Sequence, residues 1–159
     1  MEAEDFTRTF REYLVPLSKF VARRVDAARV DDVCSEIFLI AFTKRSSAPT
    51  GHELPWLYAI GGNVINNLRR KDQTSAKLFA ALSTPRFAPS AESIAVADVA
   101  LAAAWKQLKP NEQGVLALTA LDGLSVSQTA AVLGLSANAT SVRLNRARTR
   151  LAQLLAETD

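Results

Sequence analysis

Phe6, Phe10, Tyr13, Leu17 and Phe20 follow one another at steps of four, three, four and three, the spacing of a single apolar stripe on a helix. The pattern predicts a helix from about Glu4 to Val25, kinked or restarted at Pro16, whose missing N–H breaks the ladder. A second helix is expected from Asp31 to Arg45, with Asp31, Asp32 and Glu36 in the first turns, where the helix dipole favours negative charge. Its middle, Ile37 to Phe42, is apolar on all sides, as in a helix that is deeply buried or shows an apolar side to a partner. Ser46 to Leu54 reads as a loop, and Pro55 opens a third helix ending at Lys71 with a stripe at Leu57, Ile60, Val64 and Leu68. Beside that stripe Trp56, Asn63, Asn67 and Arg70 fall within about 60° of one another on the helical wheel.

Periodicity fades between residues 72 and 92, where Pro85, Pro89 and several Ser and Thr gather. So long a stretch without its own structure suits a tether between domains better than a loop inside one. Helices resume at about Glu92 to Leu108, Pro110 to Asp122, Ser127 to Leu133 and Ala137 to Leu155. No alternating run asks to be a strand. The expected fold is all-α: two small helical domains, 1–71 and 93–159, joined by a flexible linker over 72–92. Composition strengthens this, with 27 Ala and 20 Leu among 159 residues against 12 Gly and Pro combined.

Charge changes the picture through its distribution. Nineteen bases against 16 acids leave a net +3, yet Gly123 to Ala156 holds four arginines and no acid. Arg69, Arg70 and Lys71 make a second basic cluster mid-chain. Cys34 and His52 are the sole cysteine and histidine, so neither an intramolecular disulfide nor a cysteine and histidine metal cage is expected, and a reducing, cytoplasmic setting fits. The acidic N-terminus has no apolar core of a signal peptide, and the apolar stretch from Ile94 to Trp105, broken by Asp98, is too short to span a membrane. Glycine-rich phosphate loops, a nucleophile elbow and paired histidines are all missing, so no catalytic residue, cofactor or metal is assigned.

One constellation does carry chemistry. From Ser127 to Arg148 the chain fits a helix-turn-helix, with Ala130 small enough for a close crossing, Gly134 placed for a turn that needs positive φ, and Ser136 able to cap the second helix. In that helix Thr140, Leu144, Ala147 and Leu151 form a buried stripe, while Ser141, Val142, Arg143, Asn145 and Arg146 offer hydroxyl, apolar, guanidinium and amide groups on an exposed arc. These are the groups a major-groove reading helix uses. An ordinary amphipathic hairpin with its arginines in water would share the pattern.

Longer segments resemble a family. Leu108-Lys-Pro-Asn-Glu-Gln-Gly-Val-Leu-Ala-Leu, Asp122-Gly-Leu-Ser, Thr129-Ala-Ala-Val-Leu-Gly-Leu-Ser and Arg143-Leu-Asn-Arg-Ala-Arg-Thr-Arg-Leu are similar to region 4 of bacterial RNA polymerase sigma factors of the extracytoplasmic-function (ECF) group, within the sigma-70 family. Tyr13-Leu-Val-Pro-Leu, Asp31-Asp-Val-Cys-Ser-Glu-Ile-Phe-Leu-Ile-Ala-Phe and Pro55-Trp-Leu-Tyr-Ala-Ile-Gly-Gly-Asn resemble region 2 of the same group, in the same order.

The resemblance implies a promoter-specificity subunit that binds core RNA polymerase through its β′ clamp and β flap, contacts promoter DNA, and answers to an anti-sigma factor. It implies docking on the clamp by Asp32, Glu36, Phe38 and Leu39, although Ile37 and Phe38 would equally fill a core. Trp56, Asn63 and Asn67 would hold an unstacked base of the minus-ten element, with Arg69, Arg70 and Lys71 on backbone phosphate. Trp56 would serve equally as a core residue. Ser141, Val142, Arg143, Asn145 and Arg146 would read the minus-thirty-five element, with Ser127 and Ser136 at helix N-termini facing phosphate. The linker departs from the expected acidic character, carrying Lys77 and Arg86 against Asp72 and Glu92. Ala59 and Gly62 replace arginines common in the melting helix, and Gly61-Gly62 should soften it by about 1 kcal/mol per glycine, which predicts a weak melter improved by arginine at both positions. The rival reading is a free-standing helix-turn-helix regulator whose N-terminal bundle dimerises or senses a ligand. An RNA- or DNA-modifying enzyme with a helical accessory domain is more distant.

Overall fold

The computed structural model describes residues 1–72, 86–95 and 98–157. Among them every regular element is helical: α1 Ala3–Ala22, α2 Val30–Thr43, α3 Glu53–Lys71, α4 Ala91–Ala95, α5 Val99–Lys106, α6 Pro110–Leu116, α7 Val126–Leu133 and α8 Ala137–Ala156. The all-α expectation holds. Residues 73–85, which make up most of the expected linker and include Lys77, lie outside the described residues.

Helices α1, α2 and α3 pack on one another around Leu17, Phe20, Val21, Ile37, Leu57 and Ile65, each fully buried. Burying side chains of this size stabilises by about 1.5–3 kcal/mol each. Of the two outcomes expected at Pro16, a restart does not occur: α1 continues through it from Ala3 to Ala22. Tyr58 donates a hydrogen bond to the Pro16 carbonyl at 3.4 Å and stacks on Phe20 at 4.3 Å between ring centroids. Burial first, then the nearby Asp122 carboxylate, pushes the Tyr58 phenol up to about 12. Its folded value lies above the ordinary one near 10, so its contribution is whole below pH 10 and is lost as pH rises through about 12. Alkaline unfolding should therefore be steeper in the wild type than in Tyr58→Phe over that window, as followed by circular dichroism; coincident profiles would exclude the effect.

The paired glycines of α3 have a packing reason. A Cβ on Gly61 would stand 2.9 Å from a Phe20 ring carbon and 3.2 Å from Ile37 Cδ1. On Gly62 it would stand 2.5 Å from a ring carbon of Phe87. The expectation that these glycines merely soften a melting helix, and that arginine at 62 would improve it, is corrected: Gly62 is buried and its missing side chain is the space Phe87 fills.

The second half builds its own cluster from Ala104, Trp105, Leu108, Val115, Leu116, Ala117, Leu144, Ala147 and Leu154. The single helix expected over Glu92 to Leu108 is replaced by α4 and α5, because Asp98 accepts from the backbone N–H groups of Ala100 and Leu101 at 2.8 and 3.1 Å and so starts a new helix. Helix α6 opens with Pro110 at its first turn and passes into a wider π-helical turn over Ala117–Leu121. That turn closes with the Asp122 N–H donating to the Ala117 carbonyl at 2.9 Å, and Gly123 leaves it at φ 73°.

The halves also meet. Leu118, Leu124 and Val132 from the second half and Phe87 from the linker join the first cluster, and α7 packs against α3. The described end of the linker is thus seated on the protein, with Phe87 and Ala88 buried.

Candidate polymerase and nucleic-acid interfaces

Three surfaces carry the residues singled out from the sequence. On α2, Asp32 and Glu36 are exposed one turn apart and make no ion pair among the described residues. Leu39, next along that face, is 67% exposed, and Phe42 beyond it is exposed with Arg45 lying 4.1 Å over its ring. Phe38 turns inward, half-buried and edge-on to Phe10 at 4.6 Å, while Ile37 is fully buried. The apolar run therefore divides between a core side and an acid-flanked apolar side open to a partner.

On α3 the six predicted residues separate. Asn67, Arg70 and Lys71 are exposed, and Trp56 is half-buried against the first cluster. Asn63 is exposed but accepts a hydrogen bond from Arg86 Nη1 at 2.5 Å. Arg69 leaves the basic run: its Nη2 donates to the carbonyls of Ala88 at 2.9 Å and Arg24 at 3.2 Å. Burial, with the charge of Arg24 second, lowers its guanidinium to about 10. In this conformation Arg69 holds the linker to the bundle rather than facing solvent.

Helices α7 and α8 form the expected helix-turn-helix. Gly134 ends α7 at φ 69° and Ser136 accepts from the Ala139 N–H at 3.1 Å, capping α8. Ser125 caps α7 in a reciprocal capping box with Gln128, and Ser127 lies exposed within the first turn. Ser127 thus lies at the helix N-terminus, as expected. On α8 Thr140, Leu144, Ala147 and Leu154 face the core, Leu151 is half-buried, Ser141 and Arg143 are half-buried, and Val142, Asn145 and Arg146 are exposed. A shallow groove lined by Glu112, Asn145, Arg146, Thr149, Arg150 and Gln153 runs beside them.

A fourth cluster was not foreseen. The Asp122 carboxylate, fully buried, receives Arg23 Nη1 at 2.9 Å, Arg24 Nη1 at 3.2 Å and Arg24 Nη2 at 2.7 Å. Arg24, buried itself, also donates from Nε to the Phe87 carbonyl at 3.1 Å and from Nη1 to the Phe20 carbonyl at 2.9 Å. Partners separated by 98 residues leave no local spacing to read. The one available signal was an isolated aromatic, Phe87, between Pro85 and Pro89.

The all-α chain thus carries an acid-flanked apolar helix face in one half and a helix-turn-helix in the other. Residues 98–151 match the family model for sigma-70 region 4. Over 139 residues the chain is 31% identical to the RNA polymerase sigma factor CnrH of Cupriavidus metallidurans, covering 79% of this chain and 73% of that protein. It is 28% identical to the ECF RNA polymerase sigma factor BldN of Streptomyces coelicolor over 97% of its own length, and spans 61% of that relative. A solved structure of CnrH in complex with the cytosolic domain of CnrY superposes with a TM-score of 0.67 at 26% identity, covering 99% of this chain and 92% of that one. The chain belongs to the ECF RNA polymerase sigma factors of the sigma-70 family.

Proposed function

We propose that this chain is a promoter-specificity subunit of RNA polymerase: it docks on core enzyme, contacts two promoter elements and helps open the duplex, with no chemistry of its own. The observation that carries the reading is the presence on one chain of the exposed Asp32, Glu36, Leu39 face of α2 and the exposed polar arc of α8 in a helix-turn-helix. Residues 1–71 are assigned to region 2, 72–92 to the linker and 93–159 to region 4. It works in the cytoplasm, where the polymerase is.

In this reading the acids of α2 pair with basic groups of the β′ clamp while Leu39 and Phe42 bury apolar area against it. Region 4 reaches the β flap and sets α8 in the major groove. Asn67, Arg70 and Lys71, with the edge of Trp56, meet opened minus-ten DNA, the aromatic supporting a base and the cations taking phosphate. Helix-bearing relatives found with protein partners, CnrH with CnrY among them, support an anti-sigma protein as the regulator of this chain.

Assembly of purified chain with core polymerase, followed by transcription of a promoter library, tests the reading. Positioning and base reading on α8 separate within it. Arg146→Ala should weaken holoenzyme binding on all minus-thirty-five variants and flatten the salt dependence by about one unit of slope, as expected for one lost phosphate contact. Changes at Ser141 or Asn145 should instead alter base preference in footprints on the same series. Unchanged preference in every variant would remove α8 as the reading helix.

A further inference from the structure

The buried side of α8 decides which side is free to enter a groove. Thr140, Leu144, Ala147 and Leu154 face the core. At 100° per residue the arc opposite them is centred on Asn138, Val142, Asn145 and Thr149, which fall within about 60° of one another. All four are exposed. Arg146 flanks the arc on one side and Arg148 on the other, so its centre is neutral: amide, apolar, amide and hydroxyl. Asn138, outside the set expected from the sequence, is the member nearest the helix start.

The fold makes no use of the Asn138 side chain. Asparagine near a helix start often bonds the free backbone there, but Ser136 already does so. Its Oγ accepts from the Ala139 N–H at 3.1 Å, and its carbonyl accepts from Thr140 Oγ1 at 2.9 Å. The Asn138 amide has no hydrogen-bond partner among the described residues. The turn before it is pinned as well, with the Leu135 N–H donating to the Ala130 carbonyl at 3.0 Å. An unused amide thus projects from a rigid helix start, the part of a reading helix that meets base edges.

We propose that Asn138 is a specificity-determining residue of this chain, and that with Asn145 it sets two amides against two adenines of the minus-thirty-five element, about three base pairs apart. The proposal rests on the assignment of α8 to that element. An asparagine side chain presents a carbonyl oxygen and an NH2 group on one edge, the complement of the N6 amine and N7 of adenine in the major groove. Seven residues at about 1.5 Å each place the two amides about 10.5 Å apart along α8, and base pairs stack about 3.4 Å apart, which gives the spacing. Val142 lies between them on the same side and suits the methyl group of an intervening thymine. None of the four central residues is an arginine, the side chain that pairs with guanine. The arginines at the edges fall toward the two backbones, where they position the helix without reading sequence.

Holoenzyme selection from a promoter library randomised across the minus-thirty-five element, read by sequencing the bound fraction, tests the assignment. Wild type should select adenine at two positions about three base pairs apart. Asn138→Ala should lower the preference at one of them about tenfold and leave the other, while Asn145→Ala does the reverse. Asn138→Arg should turn the first position from adenine to guanine, a gain that misfolding cannot imitate. Circular dichroism should match wild type in all three, because the exposed amide bonds nothing within the chain. An unchanged profile in Asn138→Ala, or uniform weakening on every sequence as for a phosphate contact, overturns the role of Asn138. A lost preference for a base other than adenine overturns the pairing. If Asn145→Ala still shifts the profile in those cases, α8 remains the reading helix and only the present proposal falls. If no α8 variant shifts it, the assignment of α8 fails and takes the proposal with it.

Discussion

Asp32→Arg combined with Glu36→Arg abolishes assembly with core polymerase while helical content and melting temperature stay near wild type. Both carboxylates are exposed and form no ion pair among the described residues, so their loss removes no intramolecular partner. Surface changes of that kind usually stay within about 0.5 kcal/mol of wild-type stability. At a docking face the same change is severe, since loss of one member of a desolvated charge pair costs about 2 kcal/mol or more and a reversed charge adds repulsion. Two such losses weaken binding by about a thousandfold. Fluorescence anisotropy of labelled protein titrated with core enzyme measures it. Wild-type affinity in the double variant would place the docking surface elsewhere.

Gly62→Leu destabilises the chain by about 2–4 kcal/mol, even though it replaces a poor helix former. Helix propensity alone gives back about 1 kcal/mol. Against that stands the seat of Phe87, which a Cβ at this position would approach to 2.5 Å. Expelling a buried phenylalanine resembles truncating one, a loss of about 3–5 kcal/mol. Calorimetry should show the melting temperature falling by roughly 5–15 °C. A rise, as propensity alone would give, would mean that Phe87 does not occupy that hollow in solution.

These two positions mark where the sequence was and was not informative. Helices α1 and α3 were legible because their stripes repeat within each segment, α2 because its acids gather in the first turns, and the turn at Gly134 with its Ser136 cap because both devices are local. The division of α2 into a core side and an open side was not legible, because its middle is apolar all round. Arg69 was misplaced because a run of three cations says nothing of which one turns inward, and that is decided by the Ala88 carbonyl 19 residues away. Helix α7, expected from Ser127, starts one residue earlier at Val126, because Ser125 and Gln128 cap each other's backbone N–H groups. Gly62 reads as a weakness of α3 in the sequence, and its reason is Phe87 of the linker, 25 residues further along the chain. Long-range pairings of single residues carry no periodicity, so they stay invisible in one chain.

The measurement that bears most directly on the central claim is transcription-start mapping with purified chain, core RNA polymerase and a randomised promoter library. The account predicts transcripts that require both components and whose upstream sequences share two separated elements, near minus ten and minus thirty-five. Specific binding of the pure chain to isolated duplex, with no transcript dependent on it when core enzyme is added, would contradict the account and identify a free-standing regulator instead.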